Sequence, residues 1–154
     1  MKNRILLILS GLFMATLLFY AVSVTAERLP GSAHGGRLFL TTLSGSEEVP
    51  GPGSTNGQGR AAITLNHGQR ELCFVLEVAD LETATAAHVH RGAVGVAGPV
   101  VVPLTAPGTN GLSHGCVKVD RGLIKEILQH PDRFYVNVHT AALPAGAIRG
   151  QLSK

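Results

Sequence analysis

The sequence predicts an all-β domain: an antiparallel, Greek-key-like sandwich or flattened barrel of about eight strands with one short helix. Three observations predict it. Short apolar stretches recur along the chain with turn residues between them. Several of these stretches alternate apolar and polar residues with the period of two that a half-buried strand requires. Turn-forming glycines and prolines fill the intervals, and one stretch has helical spacing instead.

Arg37-Leu43 is the first strand candidate. Ser44 to Gln58 carries Pro50, Pro52 and four glycines, and reads as a long loop. In Gly59-Asn66 the residues Ala61, Ile63 and Leu65 alternate. Asn66-His67-Gly68-Gln69 is a hairpin turn into Glu71-Ala79, where Leu72, Phe74, Leu76 and Val78 share one face. Ala84-His90 follows. A glycine-rich loop, Arg91-Gly98, leads to Pro99-Leu104, whose three consecutive valines suit a buried strand. After the turn-rich Pro107 to Gly111 comes the strand Leu112-Val119. Asp120 can cap a helix whose Leu123, Ile124, Ile127 and Leu128 fall at helical spacing, and Pro131 stops it. Phe134-Thr140 and Ala147-Leu152 complete the set, with no repeat strong enough to divide the domain.

The N-terminal residues are read separately. Lys2 and Arg4 precede an apolar run from Ile5 to Val24, and Val24-Thr25-Ala26 supplies small residues for cleavage. Residues 1–26 are therefore expected to be a signal peptide, the alternative being an N-terminal membrane anchor. Residues 27–36 read as a flexible lead-in and residues 37–154 as the domain. Either reading places the domain outside the cytoplasm, periplasmic or secreted, with membrane contact only if the segment stays uncleaved. No cysteine follows the apolar run to take a lipid anchor. Removing 26 residues leaves 128, enough for one core. Lys2 and Arg4 account for two of the three net positive charges, so the remainder carries +1. Without a basic run, and with few aromatics, the domain is not expected to bind nucleic acid.

Two cysteines, Cys73 and Cys116, suggest one disulfide in an exported domain. A pair of thiolate metal ligands is the alternative, although 43 positions separate them.

The chemistry concentrates on two histidine-bearing strands. In Ala86-Ala87-His88-Val89-His90-Arg91-Gly92, His88 and His90 share a face opposite Val89. In Tyr135-Val136-Asn137-Val138-His139-Thr140, Tyr135, Asn137 and His139 share a face opposite the valines. If the valines mark the core, all three imidazoles stand on the other side, and neighbouring strands would bring them together. Three imidazoles suit copper or zinc. Asn137 could fix a ring tautomer as a hydrogen-bond partner. The competing reading is three polar-face histidines bonded to backbone or water.

Gly45-Ser46-Glu47-Glu48-Val49-Pro50, the His88/His90 strand, Gly98-Pro99-Val100-Val101, the His139 strand and Pro144-Ala145-Gly146-Ala147-Ile148-Arg149-Gly150-Gln151-Leu152 together resemble the chordin-type (CHRD) domain in its single-domain, bacterial-like form with a signal peptide. The likeness runs from about residue 37 to 153, with the motifs in the family's order. One departure is Gly51 after Glu48-Val49-Pro50, where the family often has a second proline. The resemblance implies an extracytoplasmic β-domain and assigns no activity. His88-Val89-His90 also resembles the copper-ligand strand of copper-zinc superoxide dismutases, which are Greek-key barrels with one internal disulfide.

The remaining candidates stand around this set. His114, beside Cys116 in a strand, and Glu48 are possible further ligands. The ordinary alternative for Glu47 and Glu48 is a loop carboxylate facing water. Arg149 alternates with Ile148 and Gly150, so it faces away from the core, either as an ion-pair partner of Glu48 or Asp120 or as a guide for an anion. His34, His67 and His130 read as solvated. The glycines of 92–98 precede no helix and no Lys-Ser/Thr, so they form no phosphate loop, and no convincing nucleophile elbow is present.

The expected function is binding, storage or delivery of a copper ion, or a zinc ion, through His88, His90 and His139. One alternative is a structural or adhesive module that binds an extracytoplasmic protein partner without metal. The other is a copper-dependent redox enzyme of the superoxide dismutase type, for which Arg149 is the only candidate anion guide.

Overall fold

The computed structural model describes residues 35–154. The expected signal segment and residues 27–34 of the lead-in lie outside the described residues. The strands are β1 (Arg37–Ser44), β2 (Gln58–Asn66), β3 (Glu71–Ala79), β4 (Ala84–Arg91), β5 (Val100–Leu104), β6 (Leu112–Lys118), β7 (Phe134–Thr140) and β8 (Ile148–Gln151), with helix α1 (Arg121–Gln129) between β6 and β7. They form one antiparallel sheet in the order β5-β4-β7-β8-β1-β2-β3-β6, coiled into a nearly closed barrel. Of the two arrangements the sequence allows, the flattened barrel is the better description, because a single continuous sheet wraps the core.

Alternation sets the inner face. Phe39, Leu43, Ala61, Ile63, Leu65, Leu72, Phe74 and Leu76 point inward from β1, β2 and β3. Val89, Val136, Val138 and Ile148 do so from β4, β7 and β8. The valines of the histidine strands thus mark the core, as their spacing predicts. Helix α1 buries Ile124 and Ile127 in the same core. Its N-terminus is capped by Asp120, whose carboxylate accepts from Gly122 N at 2.7 Å and Leu123 N at 3.1 Å. These bonds satisfy two of the donors that a helix start leaves unpaired.

The edge strand β6 is fastened to β3 by the disulfide Cys73–Cys116, which joins directly paired residues. Both thiols are therefore spent, and the thiolate-ligand alternative is removed. Short 3-10 turns at Gly45–Glu47 and Pro131–Arg133 lack a hydrophobic period and are not legible from spacing. The last strand is shorter than its apolar pattern, although the flanking Ala147 and Leu152 are buried and each donates a backbone hydrogen bond to β7, to Val138 O and Phe134 O.

Strand β7 is buried along both faces. One face meets the core. The other is roofed by residues 92–99 and 141–147, which reach Tyr135 through Gly98 and His139 through Pro144. A polar strand face in an all-β domain is ordinarily solvated, so this roof gives the site its environment.

Candidate metal centre

β4 and β7 are direct neighbours, with His88 opposite Asn137 and His90 opposite Tyr135. His139 lies opposite Ala86, diagonal to His88 and within side-chain reach. The register therefore gathers His88, His90 and His139, with one ligand atom from each ring lying within 4.8 Å of the others. His90 and His139 are buried and His88 is half-buried, so the group opens to solvent on the His88 side.

Two rings are oriented by backbone carbonyls. His90 Nδ1 donates to Gly98 O at 2.8 Å, and His139 Nδ1 donates to Pro144 O at 3.0 Å. Each bond places the proton on Nδ1 and leaves Nε2 with a bare lone pair. His90 Nε2 is buried with no hydrogen-bond partner. His139 Nε2 lies 3.1 Å from His88 Nδ1 and 3.1 Å from Asn137 Oδ1. As an acceptor it takes a hydrogen bond from His88 Nδ1–H, or from the Asn137 NH2 once the amide is flipped to exchange it with Oδ1.

Tyr135 completes the wall. Its ring stacks on His90 with centroids 4.8 Å apart and planes 11° apart. Its hydroxyl accepts from Gly98 N at 3.1 Å, fixing the same residue that orients His90. Arg149 covers the ring, its guanidinium carbon 3.4 Å from the centroid.

Electrostatics follow burial. Desolvation holds the His88 imidazole below its ordinary value, reinforced by the charges of His139 and His90 and opposed by a hydrogen bond that His88 donates to Asn137. Desolvation also lowers His139, against the Pro144 hydrogen bond, with His90 adding to the lowering. Both rings are thus biased to the neutral form that a metal ligand requires.

The structure corrects two expectations. Arg149 does face away from the core, but it is only 2% exposed. Its guanidinium donates to Val96 O, Ala93 O and Gln151 Oε1, and among the described residues no salt bridge joins it to a carboxylate. Asp120 is occupied as the helix cap. Glu48, read as a water-facing loop carboxylate in the ordinary alternative, is 6% exposed, and its Oε1 has no partner. Burial pushes its carboxyl up to about 7, with Arg149 and a backbone hydrogen bond at Val49 pulling the other way. Glu48 is not in the three-histidine group, and Glu47 is exposed. His114 stands exposed on β6 opposite Val75, outside that group. His67 and His130 are exposed as expected, while His34 lies outside the described residues. Sequence reasoning placed Tyr135 on the right face without a role, and it missed the Gly98 and Pro144 carbonyls. Carbonyl contacts carry no side-chain signature.

Fold and site define a class: a disulfide-fastened, nearly closed antiparallel β-domain with three histidines under a loop roof. Within that class the chain belongs to the CHRD domain family, whose model matches residues 39–152. No curated protein matches the chain, and no solved structure does. The likeness to the superoxide dismutase copper strand rests on one tripeptide and gains no support from these comparisons.

Proposed function

We propose that this domain acts outside the cytoplasm, periplasmic or secreted, as a metal-binding module for copper, with zinc as the second choice. His88, His90 and His139 serve as ligands, and the role is binding, storage or delivery of the ion. The observation that carries the reading is the buried, unpartnered Nε2 of His90 within the three-histidine group, where His90 and His139 are both set by carbonyl bonds on Nδ1. A buried acceptor without a partner is costly in an apo domain, and a metal ion removes that cost. Carbonyl-oriented imidazoles are the usual outer support of histidine metal sites. Asn137 supports the rings from beneath. Glu48 and His114 are not needed as ligands.

The test is metal stoichiometry. Residues 27–154 are loaded with Cu(I) under reducing conditions, with Cu(II) or with Zn(II), dialysed and analysed for bound metal, with His139→Ala in parallel. One ion per chain in the parent, lost in the variant, supports the reading. No retained metal in the parent ends it.

A structural or adhesive role toward an extracytoplasmic protein is the second reading. The exposed Leu38 and Leu40 on the outer side of β1 favour it. A dismutase-type reaction is disfavoured, because the one candidate anion guide, Arg149, is buried with its guanidinium engaged.

A further inference from the structure

We infer that the three-histidine site selects copper in its monovalent state, and that the buried Arg149 behind Tyr135 sets this preference; the inference rests on the metal-binding reading above. Two independent features support it. The first is the donor set. Three imidazoles form the group, both thiols are in the disulfide, and no carboxylate belongs to it. Three nitrogen donors suffice for Cu(I), whereas Cu(II) favours a tetragonal set of four.

The second is a fixed charge. β7 lies between β4 and β8, so Tyr135 separates His90 from Arg149. The guanidinium is one aromatic ring removed from a ligand and is shielded from water. All three of its hydrogen-bond acceptors are uncharged. Glu48 is the acid whose field reaches it, and the two form no salt bridge. A second unit of positive charge on the ion is therefore opposed by Arg149. At a separation of about 10 Å and an effective dielectric constant of about 20, the repulsion is worth roughly tenfold in affinity. Zn(II) carries the same second charge and is disfavoured in the same way.

The inference is tested by competition against Cu(I)-, Cu(II)- and Zn(II)-specific chelators at pH 8, where Glu48 is ionised. Parent, Arg149→Met, Arg149→Lys and Glu48→Gln are compared. Arg149→Met is expected to lower the Cu(I):Cu(II) affinity ratio about tenfold, with Zn(II) strengthening in step. Arg149→Lys keeps the charge and should keep the ratio, which separates charge from the anchoring of residues 93–96. Glu48→Gln removes the opposing charge and is expected to raise the ratio. It provides the test if Arg149→Met fails to fold. Tighter binding of Cu(II) than of Cu(I) by the parent, or an unchanged ratio in folded Arg149→Met or in Glu48→Gln, overturns the inference while leaving a metal site intact. A parent that retains none of the three ions instead ends the metal-binding reading itself.

Discussion

Glu48→Gln should stabilise the domain at alkaline pH and do so far less near pH 5. The Glu48 carboxyl is raised from 4.5 to about 7, chiefly by burial. Between those values the folded chain holds a proton that the unfolded chain has released. Stability therefore falls as pH rises through that interval, and the loss is complete above the folded value. A tenfold change in proton affinity corresponds to about 1.4 kcal/mol, so the cost of ionising Glu48 reaches at most about 3 kcal/mol. Glutamine keeps the shape of the side chain against Gly146 and carries no charge. His88 and His139 titrate in the opposite sense. Their lowered values give stability that is present above 6.5 and declines as pH falls toward the folded values. The difference between parent and variant cancels their contribution. Urea unfolding at pH 5 and pH 8, without metal, measures it. The variant is expected to gain about 2–3 kcal/mol at pH 8 and under about 1 kcal/mol at pH 5. An equal difference at both pH values would refute the assignment of a buried, proton-holding Glu48.

Four further outcomes are expected. Metal affinity should weaken on acidification at a pH below the ordinary imidazole value of 6.5, because burial lowers His88 and His139, as a chelator-competition titration would show. Gly98→Ala should weaken metal binding by about tenfold or more, because a Cβ there collides with the Arg91 carbonyl and shifts the oxygen that orients His90; metal titration checks it, with circular dichroism verifying the fold. Replacing Cys73 and Cys116 by serine should cost about 3–4 kcal/mol in urea unfolding, from the freed loop between them. Asp120→Ala should cost about 1 kcal/mol by the same assay, through two lost cap bonds, and leave metal affinity unchanged.

The strands and their inward faces were legible because one face of each meets a continuous core. A period of two reports directly on that constraint. Val89, Val136 and Val138 fixed which side the histidines occupy, and strand adjacency did the rest. What spacing could not report was the roof. Arg149 and Glu48 read as surface charges because alternation distinguishes core from non-core, and it does not distinguish water from a covering loop. The carbonyls of Gly98 and Pro144 act through backbone atoms common to every residue. The pairing of Cys73 with Cys116 was legible by count, whereas its place across β3 and β6 emerged only from register.

β8 is the last strand in the chain and yet stands inside the sheet, between β7 and β1. Its four residues join one half of the barrel to the other. An early portion of the chain, however well it collapses, consists of two unjoined sheets until this segment arrives. The same segment delivers Arg149 beneath Tyr135 and Gln151 to the carbonyls of Gly92, Asp132 and Phe134. The sheet is therefore continuous only when its final strand is in place. The wall behind the histidine cluster is thus made from the final residues of the domain.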